Sequence, residues 1–324
     1  MTRLKKTLKL LFVADPLENF DPIAETSLAL MREAARRKHR IFFTQPKNLS
    51  ARGTCLQSHV QELKILSSKQ KNAWYQVRSN KVEALENFNA ILLRKDPPFD
   101  PDYLHHLYLL QLLSHKVYMM NHPRGILLAN EKIFTLLFES WAPETLISAN
   151  RQDLINFIQE QKQGTILKPI GEAGGRGVFY IKHPQSENVN VILESMSHNF
   201  SRHIIAQAYL PEAKKGDKRI LLLGDQILGA FQRIPAKGEH RANLHAGGRA
   251  KKASVSHEEK KLISELQSHL QQLGLDFVGL DLIGNKLIEV NATSPMGLHE
   301  LNQTAKRQSE KEVIDFLEKK VFAN

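Results

Sequence analysis

Apolar residues recur with two different spacings along the first 121 residues. "LKLLFVAD" (8–15), "HRIFFTQP" (39–46), "FNAILLRKD" (88–96) and "KVYMMN" (116–121) are short, dense apolar runs and predict strands. Between them the spacing changes to that of a helix. Residues 22–38 place Ile23, Leu28, Leu30 and Met31 on apolar positions, and a later segment does so with Tyr103, Leu104, Leu107, Leu110 and Leu113. Strands alternating with helices predict a parallel sheet covered on its faces. Residues 47–87 give a weak signal, read as hairpin or irregular structure.

Farther along, "PETLISAN" (143–150), "GTILKPI" (164–170), "GVFYIK" (177–182) and "HIIAQAYLP" (203–211) predict strands, with a helix over 151–162. Asn130 is a candidate N-cap for a segment beginning at Glu131. The last third reads as antiparallel. "DKRILLLG" (217–224) and "QILGAFQRIP" (226–235) flank Gly224-Asp225. Ser256 and Glu259 form a capping box for a helix over 257–273, and Gly274 ends it.

"DFVGLDLIGNKLIEVNATSP" (276–295) raises a question of register. Glu289 and Asn291 lie two apart in a strand, so they share a face. A two-residue turn at Gly284-Asn285 sets Asp281 opposite Ile288 and buries one acid on each side. A three-residue turn, Gly284 to Lys286, pairs Asp281 with Glu289 and leaves Leu280, Leu282, Ile288 and Val290 on the core face. The second register is expected, because a one-residue slip exchanges the faces. Two opposed carboxylates repel and call for a cation. With an Asn oxygen beside them they suit Mg²⁺, which takes the rest of its shell from water and phosphates. Taken alone, an exposed face with unrelated acids explains them equally well.

"ILKPIGEAGGRGVFYI" (166–181) sets Lys168 in an apolar strand, then a glycine-rich loop, then another strand. Glycines let backbone amides approach phosphate oxygens. The spacing is neither GxxxxGK[ST] nor GxGxxG before a helix, which disfavours both of those nucleotide folds. Lys132, Arg219, Arg233 and Arg241 stand at strand positions or loop mouths. An Arg in a strand of Ile and Leu is costly without an anionic partner. Each alone is explained as a surface residue; together with Asp281, Glu289 and Asn291 they indicate an anion site.

Composition narrows the class. At 324 residues, 42% hydrophobic and 24% charged, the chain suits two or three globular units. No apolar run approaches the roughly 20 residues that span a bilayer, so no membrane is expected. The N-terminal stretch fits a buried strand better than a signal peptide. The single cysteine, Cys55, excludes a disulfide framework and predicts a reducing, cytoplasmic setting. Lys and Arg exceed Asp and Glu by 45 to 34, a net +11. These charges are scattered, so solvated faces and an anionic small molecule are preferred over nucleic acid.

The segments "RKDPPFD" (94–100), "NEKIFTLLF" (130–138), "ILKP" (166–169), "GDKRILL" (216–222), "RANLHAGGRA" (241–250), "FVGLDLIG" (277–284) and "EVNATSP" (289–295) together resemble the ATP-grasp ligases, and among them the bacterial glutathione synthetases. The resemblance runs nearly end to end. It implies an α/β (α+β) chain of three domains: an N-terminal parallel α/β domain (1–121), a small central lid (122–206) and a C-terminal antiparallel-sheet domain (207–324). It implies ATP with Mg²⁺ (or Mn²⁺), and ligation of γ-glutamylcysteine to glycine through an acyl phosphate.

The metal ligands so implied are Asp281, Glu289 and Asn291. The nucleotide positions are Lys132, Lys168, Gly171, Gly174, Gly175, Gly177, Asp217 and the adenine-holding segment Gln207, Ala208, Tyr209 and Leu210. Arg219, Arg241 and Asn243 match catalytic positions, and Arg94, Arg233 and Ser294 match the peptide-substrate region. The stretch 237–248 matches a mobile loop, and the family is often a homo-oligomer, a tetramer in particular. The chain departs from the pattern at Met296, at 297–303, at Ala208 and in "GEAGGRG". These departures bear on the acceptor pocket and leave a second reading: an ATP-grasp carboxylate–amine ligase with another amino-acid or peptide acceptor.

Overall fold

The computed structural model describes residues 7–113, 115–235 and 248–323. Its first sheet has seven strands: β1 (Lys9–Ala14), β2 (Arg40–Thr44), β3 (Leu49–Arg52), β4 (Cys55–Ile65), β5 (Tyr75–Ala84), β6 (Ala90–Arg94) and β7 (Tyr118–Met120). β2, β1, β6 and β7 lie side by side in parallel. β1 is buried from Leu10 to Ala14, as a parallel strand covered on both faces must be. Its side chains alternate between two cores. Leu10 and Phe12 join the core of helix α1 (Thr26–Arg36), and Leu11 and Val13 join that of helix α2 (Pro101–Gln111). The weakly patterned stretch 47–87 folds as β3 and a long β4–β5 hairpin. β5 is exposed along most of its length, so no apolar alternation is required of it.

The second sheet is antiparallel. Its strands β8 (Thr145–Ser148), β9 (Thr165–Pro169), β10 (Phe179–Ile181) and β11 (Ile204–Ala208) run in the order β10-β9-β11-β8. Helices α4 (Arg151–Glu160) and α5 (Val189–Met196) close over it, and Leu154, Phe157, Ile158, Leu167, Leu193 and Ile204 form a core of its own.

The third sheet holds β12 (Asp217–Leu223), β13 (Gln226–Ile234), β14 (Arg249–Lys252), β15 (Phe277–Ile283) and β16 (Lys286–Asn291), in the order β14-β13-β12-β15-β16. Helix α6 (His257–Gln272) begins at the expected capping box, with both reciprocal bonds formed. Its Leu262, Ile263, Leu266 and Leu270 share one core with Ile220, Leu222, Val278 and Leu280. The opposite face packs Leu221, Phe231 and Phe277 with helices α7 (Leu298–Ala305) and α8 (Ser309–Ala323). Both cores continue into the first sheet, so the first and third sheets are one body, while the second keeps a separate core.

One local expectation is corrected and another is refined. The β15–β16 turn has two residues, because Ile283 pairs with Lys286 and Leu282 with Leu287. A bulge at Ile288 then restores the pairing of Asp281 with Glu289. Leu287, not Ile288, therefore fills the core beside Val290. The segment from Ile133 to Phe138 is a 3₁₀ helix. Asn130 caps it as expected: its side chain accepts the amides of Lys132 and Ile133 at 3.2 and 3.1 Å, and its carbonyl accepts Phe134 N at 2.9 Å.

Candidate active site

The site lies on one face of the third sheet. Register alone aligns Arg219 of β12, Asp281 of β15 and Glu289 of β16 in a row across three strands. Asp217, two residues before Arg219, is opposite Arg233 of β13. Alternation along each strand turns these charges away from α6 and its core.

The charges form a buried chain. Arg219 donates to Asp281 through Nε at 2.7 Å and Nη2 at 2.6 Å, a bidentate pair. Arg233 binds Asp217 in the same manner at 2.7 and 2.6 Å, and its Nη2 also reaches Asp281 at 2.7 Å. Burial would raise the Asp281 carboxyl, but Arg219 and Arg233 outweigh it and hold the group well below the usual carboxylate range. Asp217 has weaker support, so burial wins over Arg233 and lifts it. Glu289 meets Lys132 Nζ at 3.3 Å. Asn291 Nδ2 donates to Gly279 O at 3.1 Å, which leaves its Oδ1 to act as an acceptor.

The oxygens of Asp281, Glu289 and Asn291 are a hard donor set on one face, which fits Mg²⁺ or Mn²⁺. Three basic side chains now serve these carboxylates, so an incoming ion competes with Arg219, Arg233 and Lys132. Among the described residues no cluster of three His, Cys, Asp or Glu side chains could hold a metal.

The second sheet supplies the facing wall. Lys168 on β9 is buried, and its Nζ donates to Gln207 Oε1 at 2.6 Å. Burial lowers its ammonium to about 8, against the opposing pull of Glu289. Gln207 in turn donates to Thr145 Oγ1 at 2.9 Å. In the glycine loop Gly174, Gly175 and Gly177 take φ of 68°, 74° and 66°, which L side chains resist. Lys132 Nζ also donates to the Glu172 carbonyl in this loop. Phe99 N donates to Gly171 O at 2.8 Å, so the loop rests on the first body. The Ala208 and Tyr209 amides are bound to Glu144 O and Gly164 O, and the Tyr209 ring packs against Tyr180 with centroids 4.5 Å apart and a 37° tilt. The next residue, Leu210, leads into a short 3₁₀ turn.

Arg94 is buried, and its donors hold Ser27 Oγ at 3.0 Å and Pro295 O at 3.1 Å. It thereby joins the first sheet to the loop that follows β16. Ser294 sits in that loop, near Asp96, whose carboxyl burial raises against the opposing pull of Arg94. Arg241 and Asn243 lie outside the described residues. Two further polar residues were not singled out from the sequence. Glu131 accepts from Ala292 N, Thr293 N and Thr293 Oγ1, and Asn121 binds Phe277 and Ala292. Glu131 is buried beside Glu289, and both effects raise its carboxyl to about 7. Its one sequence signal is a charge between Asn130 and Lys132, which a helical reading treats as solvated.

Two family models match the chain: the N-terminal domain of prokaryotic glutathione synthetase over residues 8–126, and its ATP-grasp domain over residues 131–306. A glutathione synthetase of Nitrosomonas europaea is 37% identical over 317 residues, covering 97% of this chain and 98% of the relative. One from Vibrio cholerae is 35% identical over 320 residues, covering 98% and 99%. Among solved structures, a D-cycloserine synthetase aligns with a TM-score of 0.68 at 13% identity, over 96% of this chain and 99% of that one. A macrocyclase from Microcystis aeruginosa aligns with a TM-score of 0.60 at 15% identity, over 95% and 99%. These structural likenesses establish the ATP-grasp fold, and the two family models with the near full-length relatives place the chain among the prokaryotic glutathione synthetases, which are ATP-dependent ligases.

Proposed function

We propose that this site joins the glycine-side carboxylate of γ-glutamylcysteine to the amine of glycine, with ATP consumed to ADP and phosphate. The observation that carries the reading is the row Arg219–Asp281–Glu289 with Asn291, faced by Lys132 and Lys168. Lys132, Lys168 and the amides of the glycine loop 171–177 would bind the triphosphate and offset its charge. The segment 207–210 and the Tyr180–Tyr209 pair would wall the adenine. Asp281, Glu289 and Asn291 would hold Mg²⁺, which supplies charge neutralisation at the transferring phosphoryl group.

The peptide carboxylate attacks the γ-phosphorus, ADP leaves, and an acyl phosphate forms. The glycine amine then adds to its carbonyl carbon, and phosphate departs. Arg219 and Arg233 would steady the anionic oxygens of these steps once their hold on Asp281 is relaxed. Docking of the glycine loop against Phe99 would exclude the water that hydrolyses an acyl phosphate. Arg94 and Ser294 would shape the peptide side, and Arg241 and Asn243 would act with the catalytic arginine. The lid is assigned to the central unit, and a homo-oligomer in the cytoplasm belongs to the same reading. Light scattering on the purified chain checks the assembly.

Phosphate release with Mg-ATP, γ-glutamylcysteine and glycine, each omitted in turn, tests the reaction. Release should require all three and yield glutathione. Glu289→Gln should lower turnover by on the order of 100-fold, the upper range for a metal-site contact. Binding of ATP without turnover on this pair would instead point to a different acceptor on the same core.

A further inference from the structure

Ala292 directly follows Asn291 and is fully buried. Its two peptide groups are held by two buried side chains from another part of the chain. Its amide donates to Glu131 Oε1 at 3.2 Å, and its carbonyl accepts from Asn121 Nδ2 at 2.7 Å. Glu131 Oε1 also accepts from Thr293 N at 3.2 Å and Thr293 Oγ1 at 2.7 Å. The Glu131 carbonyl accepts from Val290 N at 2.8 Å. Both ends of Glu131 therefore clasp β16 and its exit, on either side of Asn291.

Burying a carboxylate is expensive unless hydrogen bonds or an ion pair offset the lost hydration. Among the described residues no Lys or Arg forms an ion pair with Glu131; its partners are amides and one hydroxyl. The next residue is Lys132, whose Nζ stands 3.3 Å from Glu289. The clasp thus ties the segment bearing this lysine to the strand bearing Glu289 and Asn291.

We propose that Glu131 is a positioning residue, which sets the spacing between Lys132 and the Glu289–Asn291 pair and so the fit of the metal-bound triphosphate. The inference rests on the reading of those three residues as the phosphate and metal side of the site. It assigns Glu131 no contact with substrate. Its oxygen acts only through the backbone of residues 290–293.

Three variants test it: Glu131→Ala, Glu131→Gln and Thr293→Val. Steady-state KM is measured separately for Mg-ATP and γ-glutamylcysteine, and the rise in melting temperature on adding Mg-ATP is recorded without turnover. Glu131→Ala should raise KM for Mg-ATP about 10-fold, the range for a residue that orients a metal ligand. It should remove most of the melting shift and leave KM for the peptide unchanged. Glu131→Gln keeps the accepting oxygen and should stay within about threefold of wild type. Thr293→Val loses only the shortest bond and should raise KM for Mg-ATP about threefold.

A folded Glu131→Ala whose KM for Mg-ATP is unchanged, with only the active fraction reduced, shows a purely structural residue and overturns the proposal. If Glu131→Ala does not fold, an unchanged KM for Mg-ATP in Thr293→Val overturns it. A wild-type protein whose melting does not respond to Mg-ATP overturns the reading of the site itself, and the proposal with it.

Discussion

Lys168 shows how a single side chain sets a pH dependence. Burial lowers its ammonium to about 8 in the folded protein, from an ordinary value of 10.5. Between these values the unfolded chain holds a proton that the folded chain has released. This group's contribution to stability therefore rises with pH across that interval. Binding of a triphosphate needs the charged form, so it weakens as pH rises through about 8. ATP affinity measured calorimetrically between about pH 7 and 9 should fall on the order of tenfold. Affinity that is flat across this range would show that Lys168 does not carry the phosphate charge.

Elements meet here through positions that tolerate no side chain. Helix α3 (Pro123–Leu128) approaches the chain leaving α6 so closely that a Cβ on Gly125 would lie 2.2 Å from Leu273 O. The neighbour is backbone and cannot swing aside. Gly125→Ala should therefore destabilise the fold by about 1–3 kcal/mol, the usual cost of overpacking. Urea unfolding monitored by circular dichroism would register this as a lower midpoint at unchanged slope. The same contact brings His122 N to Gly274 O at 2.9 Å and keeps the segment before Glu131 on the body.

At the scale of the whole molecule, two units differ in how they are joined. The first and third sheets share both large cores, while the central sheet keeps its own. A unit with a private core moves against its neighbours at lower cost than one whose core is shared. Its loop meets the body through few polar contacts, including Phe99 N to Gly171 O at 2.8 Å and Lys132 to the Glu172 carbonyl. Hydrogen exchange should show residues 171–177 slowed by Mg-ATP, with β1 and β6 unaffected. Equal slowing of all three regions would mean general stabilisation without lid closure.

The alternating apolar spacing determined which segments became strands and helices. It placed β1, β2 and β6 because they are buried on both faces, and α1, α2 and α6 because each buries one apolar stripe. The glycine loop, the strand lysine and the Asp281/Glu289/Asn291 spacing were legible because such residues are costly in apolar strands without a ligand or partner. The pairing of Asp281 with Glu289 was legible, but not the means. The bulge at Ile288 is decided by which leucine or isoleucine fits the core, and only packing states that. β5 escaped the pattern because an exposed edge strand needs no alternation. The partners of Arg219, Arg233 and Arg94, and the clasp of Glu131 on residues 290–293, come from segments far apart in the chain. Hydrophobic periodicity encodes what each element buries. It carries no record of which distant polar group will meet it, because that depends on how the layers stack.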